Sequence, residues 1–253
     1  MRITFLGTGT SQGIPMIASK DPVCMSKDPK DQRLRSSIMI EWDNVCYIVD
    51  CGPDFRQQML RESVCSIDGV FFTHEHSDHT AGIDDLRPFT YKMGEVPIYA
   101  IGRVIDNLKT RFAYIFATEN RYAGAPKLQE NRLTNRSLIL SGVTITPIEV
   151  MHGNLPITGY RFGDVAYMTD LKTITDKEKE KLKNLRILII NALRIDEHPT
   201  HLNLKEAIDF VSDIKPSKAY FTHISHKLGF HALVEKELPE NIFLSYDGLQ
   251  IED

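Results

Sequence analysis

The stretch Thr73-His74-Glu75-His76-Ser77-Asp78-His79 decides the fold of this chain. It continues an apolar strand predicted at 69–73 and precedes a predicted helix start. Because alternate residues of an extended segment point to the same side, His74 and His76 can bind one metal ion together. The adjacent Asp78 and His79 point in different directions and suit a second, neighbouring ion. Imidazole and carboxylate ligands fit zinc, manganese or iron alike.

Two simpler interpretations of this stretch are a solvated loop rich in histidine and a site for a single ion. Three His and one Asp lie within six residues at the end of a strand, which argues against a chance loop. A site for two ions needs further ligands from elsewhere in the chain. We expect them at strand ends, where the scaffold is rigid and the following loop is open.

Three more residues lie directly after predicted strands. His152 follows the strand at 144–150, Asp170 follows 165–169, and His223 follows 219–222. Each residue alone is as often a surface or capping residue as a ligand. Their shared position makes them candidates as a group.

The composition is that of a soluble globular protein. The 253 residues include 34 acidic and 30 basic side chains, for a net charge of −4. Four Cys do not indicate a disulfide scaffold in a chain of this size. The N-terminal segment becomes rich in glycine from Gly7 onward, before an apolar stretch as long as that of a signal peptide can form. No apolar run is long enough to span a membrane. We therefore predict a cytoplasmic protein with no membrane partner, and the mild acidity argues against a stable nucleic-acid partner.

The pattern of apolar residues predicts one domain over 1–253, with two β-rich halves and helices after the strands. A hairpin turn is expected at Asp43-Asn44. The predicted strands are 2–6, 37–41, 45–50, 69–73, 96–100, 137–148, 157–162, 165–169, 186–191, 218–222 and 242–246. The predicted helices are 54–61, 176–184, 203–213 and 231–237, together with most of 84–116, and 117–136 is expected to be irregular.

The strand and helix around THEHSDH, followed in order by MHGN, MTD and FTHISH, resemble the metallo-β-lactamase-fold hydrolases. The resemblance runs from Gly7 to Gly248. It implies an α/β protein with a four-layer αββα sandwich and two divalent metal ions at one edge. On the family pattern one ion is held by His74, His76 and His152, the other by Asp78, His79 and His223, and Asp170 bridges them.

The residue types at particular positions narrow the choice among the branches of this family. His79 is present where true lactamases usually replace the last His, and His76 stands where flavodiiron proteins have Glu. The segments GTGTSQGIP (7–15), RLRSS (33–37) and THISH (222–226) resemble the phosphodiesterase branch. That branch contains the cyclic-phosphate phosphodiesterase of the phosphonate (carbon–phosphorus lyase) pathway and, further off, tRNA 3′-processing endonucleases.

One departure concerns a separate structural zinc site near the N-terminus. In proteins similar to the phosphonate-pathway enzyme, three Cys and one His form this site. This chain offers only Cys24 and His226. Structural zinc needs four ligands, so we expect this site to be absent. Asp21 can replace only one of the missing thiolates.

The resemblance implies a phosphodiesterase in which a hydroxide bridging the two ions attacks a small cyclic or nucleotide-like phosphodiester. Asp78, as a ligand of the second ion, is needed for turnover. The leaving group needs a proton donor, and the branch has a His on the loop after strand 186–190. His201 is favoured over His198, although either can instead cap the helix or support the metal ligands.

The segment 101–136 carries seven basic and three acidic residues and is a candidate substrate-facing insert. Its simpler interpretation is a solvated helix face with a loop. The alternatives to a phosphodiesterase are an RNA 3′-processing endonuclease, a thioester or lactone hydrolase on the same metals, and a non-catalytic binding protein. Members of this branch often dimerise, so the resemblance also implies a homodimer.

Overall fold

The computed structural model of the protein describes residues 1–252, which form fourteen β-strands and eight α-helices. The strands are β1 Arg2–Gly7, β2 Ser37–Trp42, β3 Val45–Val49, β4 Gly69–Phe71, β5 Val96–Ile101, β6 Leu128–Leu133, β7 Leu138–Leu140, β8 Val143–His152, β9 Leu155–Phe162, β10 Val165–Met168, β11 Ile187–Asn191, β12 Lys218–Thr222, β13 Ile242–Leu244 and β14 Gln250–Glu252. The helices are α1 Phe55–Arg61, α2 Ser77–Thr80, α3 Arg87–Met93, α4 Gly102–Arg111, α5 Ala113–Phe116, α6 Asp176–Lys179, α7 Leu204–Ile214 and α8 His231–Val234. Short 3-10 segments lie at Pro29–Asp31, Ile83–Leu86, Glu180–Leu182, His226–Leu228 and Glu235–Glu237.

The chain divides into two compact units, each with its own seven-stranded sheet and its own apolar core. The first unit comprises Met1–Leu6, Ser37–Thr134 and the segment from Gly248 onward. Its strand order is β14-β1-β2-β3-β4-β5-β6. Burial of apolar strand and helix residues such as Val70 and Leu108 stabilises this unit.

The β2–β3 hairpin forms at the predicted turn. Trp42 pairs with Val45, and the two turn residues Asp43 and Asn44 have φ angles of 43° and 67°. Two consecutive left-handed residues are typical of the type I′ turn, which matches the twist of the strands that it joins. The hairpin prediction is therefore confirmed.

The parallel strands of the first unit bring several polar residues to one edge of its sheet. Strands β3, β4 and β5 are neighbours and run parallel. The carboxyl ends of parallel strands meet at the same edge. Asp50 follows β3, the segment 73–79 follows β4, and helix α4 follows β5.

The second unit comprises Gly7–Ser36 and Asn135–Asp247, and its strand order is β13-β12-β11-β10-β9-β8-β7. Strands β10 to β13 are parallel. Strand β8 has the same direction as β10 because both pair antiparallel with β9. His152 at the end of β8, Asp170 after β10 and His223 after β12 therefore lie at the same edge of this sheet.

Several sequence predictions about elements need correction. The predicted strand 137–148 is two strands, β7 and β8, and the predicted helix 231–237 is α8 followed by the 3-10 segment Glu235–Glu237. Residues 117–136 are not wholly irregular, since Leu128–Leu133 forms β6 at the edge of its sheet. His152 is the last residue of β8 rather than a residue after it. The predicted helix 176–184 is only one turn, α6, followed by the 3-10 segment Glu180–Leu182.

Within residues 1–252, none of the helices has the length and apolar character that crossing a membrane requires.

Candidate metal centre

His74 and His76 face each other at the start of the His-rich stretch. His74 Nε2 lies 3.0 Å from His76 Nδ1. His74 is fully buried, whereas His76 is exposed. Two nitrogen ligands of a tetrahedral zinc ion lie about 3.3 Å apart, given Zn–N bonds of about 2.0–2.1 Å. The spacing of these two nitrogens therefore suits one ion, as the alternation in the sequence predicts.

His79 is held from behind by a buried carboxylate. His79 Nδ1 lies 2.6 Å from Asp50 Oδ2, and both side chains are fully buried. The Thr73 amide donates to Asp50 Oδ1 at 2.9 Å, and the Thr73 hydroxyl lies 2.9 Å from Oδ2. Burial raises the pKa of the Asp50 carboxyl, while His79 and Thr73 act in the opposite direction. Carboxylates commonly orient metal-binding histidines through a contact of this kind.

Asp78 lies beside that second nitrogen. Asp78 Oδ2 is 3.1 Å from His79 Nε2, and both residues belong to the single turn of α2. A carboxylate oxygen and an imidazole nitrogen thus lie within ligand distance of a common point. The arrangement agrees with the expectation that Asp78 and His79 serve the same ion.

The arginine side chains of α4 hold the loop that carries these residues. Arg111 donates to the Glu75 carbonyl at 2.6 Å, to Thr80 Oγ1 at 3.0 Å and to Ser77 Oγ at 3.0 Å. Arg103 forms an ion pair with the Glu75 carboxylate. Two basic residues of the segment 101–136 therefore hold residues 75–80 in place.

Other basic residues of that segment bind neighbours within the first unit. Lys109 pairs with Glu130 at 2.7 Å, and Arg132 pairs with Asp106 at 2.6 Å. Arg121 donates to the carbonyls of Ile115 and Ala125, at 3.2 Å each. These contacts match the simpler interpretation of a solvated helix face with a loop. The role of 101–136 as a substrate-facing insert stays a prediction.

The second unit holds a group of candidate ligands of its own. One ligand atom from each of His152, Asp170 and His201 lies within 4.8 Å of the other two. His201 Nε2 is 2.9 Å from Asp170 Oδ1. His152 Nδ1 is 2.9 Å from the Thr200 carbonyl, which leaves Nε2 as its ligand atom. Nitrogen and oxygen donors in such a group fit a divalent metal ion.

His223 contacts the same carboxylate. His223 Nε2 lies 3.2 Å from Asp170 Oδ1, and its ring stacks on that of His201 with centroids 5.0 Å apart. Asp170 and His223 have φ angles of 55° and 54°, in the left-handed region that non-glycine residues rarely adopt. Such backbone strain at strand ends is common at functional sites.

The two candidate proton donors contact each other. His198 Nδ1 lies 3.1 Å from His201 Nδ1, and Thr200 Oγ1 is 2.9 Å from the same His201 atom. His201 is buried, and burial lowers its pKa to about 4. Burial and the nearby Arg194 also lower the pKa of the half-buried His198. Sequence reasoning places His201 outside the metal ligands, whereas the structure groups it with them.

Cys24 and His226 lie in different surroundings. Cys24 is buried in the apolar core of the second unit, and its Sγ accepts a hydrogen bond from the Met16 amide at 3.5 Å. Asp21 Oδ1 accepts from the Val23 amide at 2.9 Å. His226 lines a surface cavity. Within residues 1–252, no group of candidate metal ligands includes Cys24, Asp21 or His226.

Sequence reasoning missed two polar residues that support these groups. Asp50 is the last residue of the predicted strand 45–50 and directly follows β3 in the structure, so the strand-end position that selects Asp170 also selects it. Asn191 ends β11, and its side chain accepts from the Leu171 amide at 2.7 Å and donates to the Leu171 carbonyl at 3.1 Å. It thereby fixes the residue next to Asp170. No motif in the sequence marks Asn191.

Known proteins resemble this chain over all or part of its length. A family model for the beta-lactamase superfamily domain matches residues 46–224. A solved diphosphatase of the PhnP family is 40% identical, with a TM-score of 0.93 over 100% of this chain and 97% of that one. A Porphyromonas gingivalis protein named octanoyltransferase is 40% identical over 253 residues, which are 99% of this chain but only 51% of that protein. Ribonuclease Z of Methanosarcina acetivorans is 34% identical over 88 residues, or 34% of this chain and 24% of that enzyme.

The chain belongs to the beta-lactamase superfamily and, within it, to the PhnP family. Its fold is that of the metallo-β-lactamase hydrolases, and the predicted fold class, an α/β four-layer αββα sandwich, is confirmed. The His/Asp group of the second unit supports metal binding. The individual ligand and proton-donor roles stay predictions. The chain spans about half the length of the octanoyltransferase and less of ribonuclease Z.

Proposed function

We propose that this protein is a dinuclear metal-dependent phosphodiesterase that cleaves a small cyclic or nucleotide-like phosphodiester. The observation that carries the proposal is the grouping of His152, Asp170 and His201 in a chain that is 40% identical to a PhnP-family diphosphatase. The first unit adds imidazole and carboxylate donors in the motif typical of the superfamily.

The proposed ligands are the seven residues expected from the resemblance. The donors are the nitrogen and oxygen atoms that zinc, manganese and iron accept. When bound, two such ions supply a nucleophile at neutral pH and neutralise charge on the phosphoryl oxygens. The seven ligands are His74, His76, Asp78, His79, His152, Asp170 and His223.

Side chains around the ligands fix their geometry before any substrate binds. Asp50 holds the His79 ring through Nδ1, so Nε2 presents a lone pair. Arg111 ties the backbone of Glu75 to the hydroxyls of Ser77 and Thr80. Because the ligands are already in place, substrate binding costs little reorganisation.

We place the proton transfer to the leaving group on the His198–His201 pair. His201 Nε2 faces Asp170 and its Nδ1 faces Thr200, so both ring nitrogens are occupied by neighbours. His198 is half-buried and so more open to a substrate. This arrangement favours His198 as the group that meets the leaving oxygen, with His201 positioning it.

An RNA 3′-processing endonuclease is the second candidate because the sequence similarity to ribonuclease Z extends over about a third of this chain. The basic residues of 101–136 that such an activity would use are largely bound to neighbours, as for Lys109 with Glu130. The name octanoyltransferase belongs to a protein about twice as long as this chain. We therefore propose no acyl transfer.

A substrate panel on metal-loaded protein tests the proposal. We expect hydrolysis of bis(4-nitrophenyl) phosphate and of a 2′,3′-cyclic nucleotide with Mn²⁺ or Zn²⁺. We expect no cleavage of precursor tRNA, a thioester or a lactone. The Asp78→Asn variant is the matched control, since it keeps the side-chain volume and should lose most turnover. Cleavage of precursor tRNA alone would favour the endonuclease, and hydrolysis of the thioester alone would exclude a phosphodiesterase.

A further inference from the structure

Thr200 lies in the loop of the second unit between β11 and α7, and its polar groups contact three histidines. Its carbonyl lies 2.9 Å from His152 Nδ1, and its amide donates to His198 Nδ1 at 3.3 Å. Its hydroxyl lies 2.9 Å from His201 Nδ1 and 3.2 Å from His198 Nδ1. The backbone and the side chain of one residue thus contact a candidate metal ligand and both candidate proton donors.

The two backbone groups of Thr200 determine where two of these rings carry a proton. A carbonyl oxygen only accepts, so His152 Nδ1 donates to it and His152 Nε2 keeps a lone pair. An amide only donates, so His198 Nδ1 accepts and the proton of the neutral His198 ring lies on Nε2. These are the forms that a metal ligand and a proton donor require.

The Thr200 hydroxyl has a corresponding effect on His201. His201 Nε2 lies 2.9 Å from Asp170 Oδ1, and an ionised carboxylate only accepts, so this nitrogen donates. The Nδ1 atom of the neutral ring then carries a lone pair, to which the hydroxyl donates. Because the contact of the hydroxyl with His201 is shorter than that with His198, the amide serves His198 and the hydroxyl serves His201.

Packing and backbone hydrogen bonds hold Thr200 in this position. Gly153, directly after His152, has a φ angle of 61°, and a Cβ atom on it would lie 2.8 Å from Thr200 Cγ2. The Thr200 methyl group therefore occupies the space that a side chain at 153 would need, and β-branching restricts its χ1 angle. Two residues further on, the Leu202 amide donates to the Leu171 carbonyl at 2.9 Å and fixes the loop.

We infer that Thr200 is a positioning residue that sets the proton positions and ring orientations of His152, His198 and His201 together. For the proton transfer, the inference rests on the proposed function. Without the hydroxyl, the lone pair of His201 Nδ1 faces His198 Nδ1 at 3.1 Å and has lost its donor. The two rings then turn or change their proton positions, and turnover falls. The contact of the carbonyl with His152 is kept.

Nitrogen-15 NMR of the histidine rings in metal-free protein at pH 8 tests the proton positions without any turnover. We expect the proton on Nδ1 in His152 and on Nε2 in His198 and His201. Thr200→Val keeps the shape and the backbone but removes the hydroxyl, so the His201 Nδ1 resonance should move and the His152 resonances should not. A different proton position in any of the three rings, or an unmoved His201 resonance in Thr200→Val, would overturn the inference.

Two substrates with different leaving groups separate this role from general support of the fold. The alkoxide of adenosine 2′,3′-cyclic phosphate needs a proton as it leaves, whereas 4-nitrophenolate is stable without one. With Mn²⁺ bound, Thr200→Val should lower kcat about tenfold for the cyclic nucleotide, the worth of one hydrogen bond. The kcat for bis(4-nitrophenyl) phosphate should stay within about twofold. Thr200→Ser keeps the hydroxyl and should recover most of the lost kcat.

Thr146→Val is the matched control, because it removes a half-buried hydroxyl of the same unit whose partner is Ser137. It should change neither kcat nor the histidine resonances. An equal loss of kcat for both substrates in Thr200→Val, or no recovery in Thr200→Ser, would make Thr200 a purely structural residue and overturn the inference. If the unmodified protein hydrolyses neither substrate, the proposed function fails, while the NMR result still decides the proton positions.

Discussion

Asp50 and His79 form a fully buried pair in which the carboxylate Oδ2 lies 2.6 Å from the imidazole Nδ1. Asp50 also accepts hydrogen bonds from the amide and hydroxyl of Thr73, so its orientation is fixed on both oxygens. A ring nitrogen that donates to a carboxylate leaves the other nitrogen with a lone pair for a metal. The pair therefore lets a residue at the end of β3 fix the orientation of the His79 ring, which is a candidate metal ligand.

Replacing Asp50 by Asn tests this connection. The amide has the size of the carboxylate but only one acceptor oxygen and no charge, so the His79 tautomer is no longer fixed. We expect the affinity for Zn²⁺ or Mn²⁺ to fall by about ten- to a hundredfold, measured by competition with a chromogenic chelator. Asp68→Asn is the control, because Asp68 accepts from the Cys46 amide in the same unit without contacting a candidate ligand. Unchanged affinity in Asp50→Asn would refute the role given to this carboxylate.

Arg111→Met tests whether the Arg111 side chain keeps residues 75–80 in place. The change removes three hydrogen bonds to the backbone or side chains of residues 75–80. We expect the amides of this segment to exchange with deuterium about tenfold faster, while other strands stay protected. Arg132→Met, which breaks an exposed pair with Asp106, should leave this segment unaffected. The same protection pattern in both variants would contradict the assignment.

The cysteines should differ in their reactivity with iodoacetamide at pH 8. Burial, and then the neighbouring Glu41, raises the pKa of the Cys46 thiol to about 12, so only about one in 10,000 molecules carries its thiolate. Cys65 is exposed, whereas Cys24 and Cys51 are buried. Peptide mass spectrometry should find Cys65 modified first, and Cys65→Ser should remove that first phase. Equal rates at Cys46 and Cys65 would show that the first unit opens in solution.

His231 should make the stability of the protein depend on pH. Arg33 can only donate, so its contact of 3.1 Å with His231 Nδ1 requires a neutral imidazole. Burial, and then the Arg33 charge, lowers the pKa of His231 from the usual 6.5 to about 4. The unfolded chain therefore binds a proton that the folded chain excludes, and stability falls as pH decreases from 6.5 towards 4.

His231→Asn keeps an acceptor for Arg33 but does not titrate. Between pH 7.5 and 5.0, we expect the free energy of unfolding in urea to fall by about 1 kcal/mol less in this variant than in the unmodified protein. His226→Asn is the control with the same change in residue type. An identical pH dependence in His231→Asn and the unmodified protein would contradict a neutral buried His231.

The parts of the structure that sequence predicts are those with local signals. The Asp43-Asn44 turn has residues that tolerate left-handed backbone, and THEHSDH combines a strand end with metal-binding side chains. Strand β6 was not predicted because its sequence LQENRL is polar, as an edge strand allows. Its charged side chains are satisfied by residues distant in the chain, as Glu130 is by Lys109.

The supporting residues of the site depend on contacts that sequence spacing does not show. Asp50 and His79 are separated by 29 positions and meet only because β3 and β4 are parallel neighbours. His201 lies near Asp170 because the loop after β11 returns to the edge where β10 ends. Motif spacing reveals the candidate ligands, and the order of strands in each sheet reveals what holds them.

The most direct test of a dinuclear phosphodiesterase is a titration of metal-free protein with Mn²⁺, in which hydrolysis of bis(4-nitrophenyl) phosphate and bound metal are measured after each addition. We expect activity to rise with the second equivalent and to reach its plateau at two ions per chain. A plateau at one ion per chain, or no hydrolysis with two ions bound, would contradict the proposed two-metal phosphodiesterase.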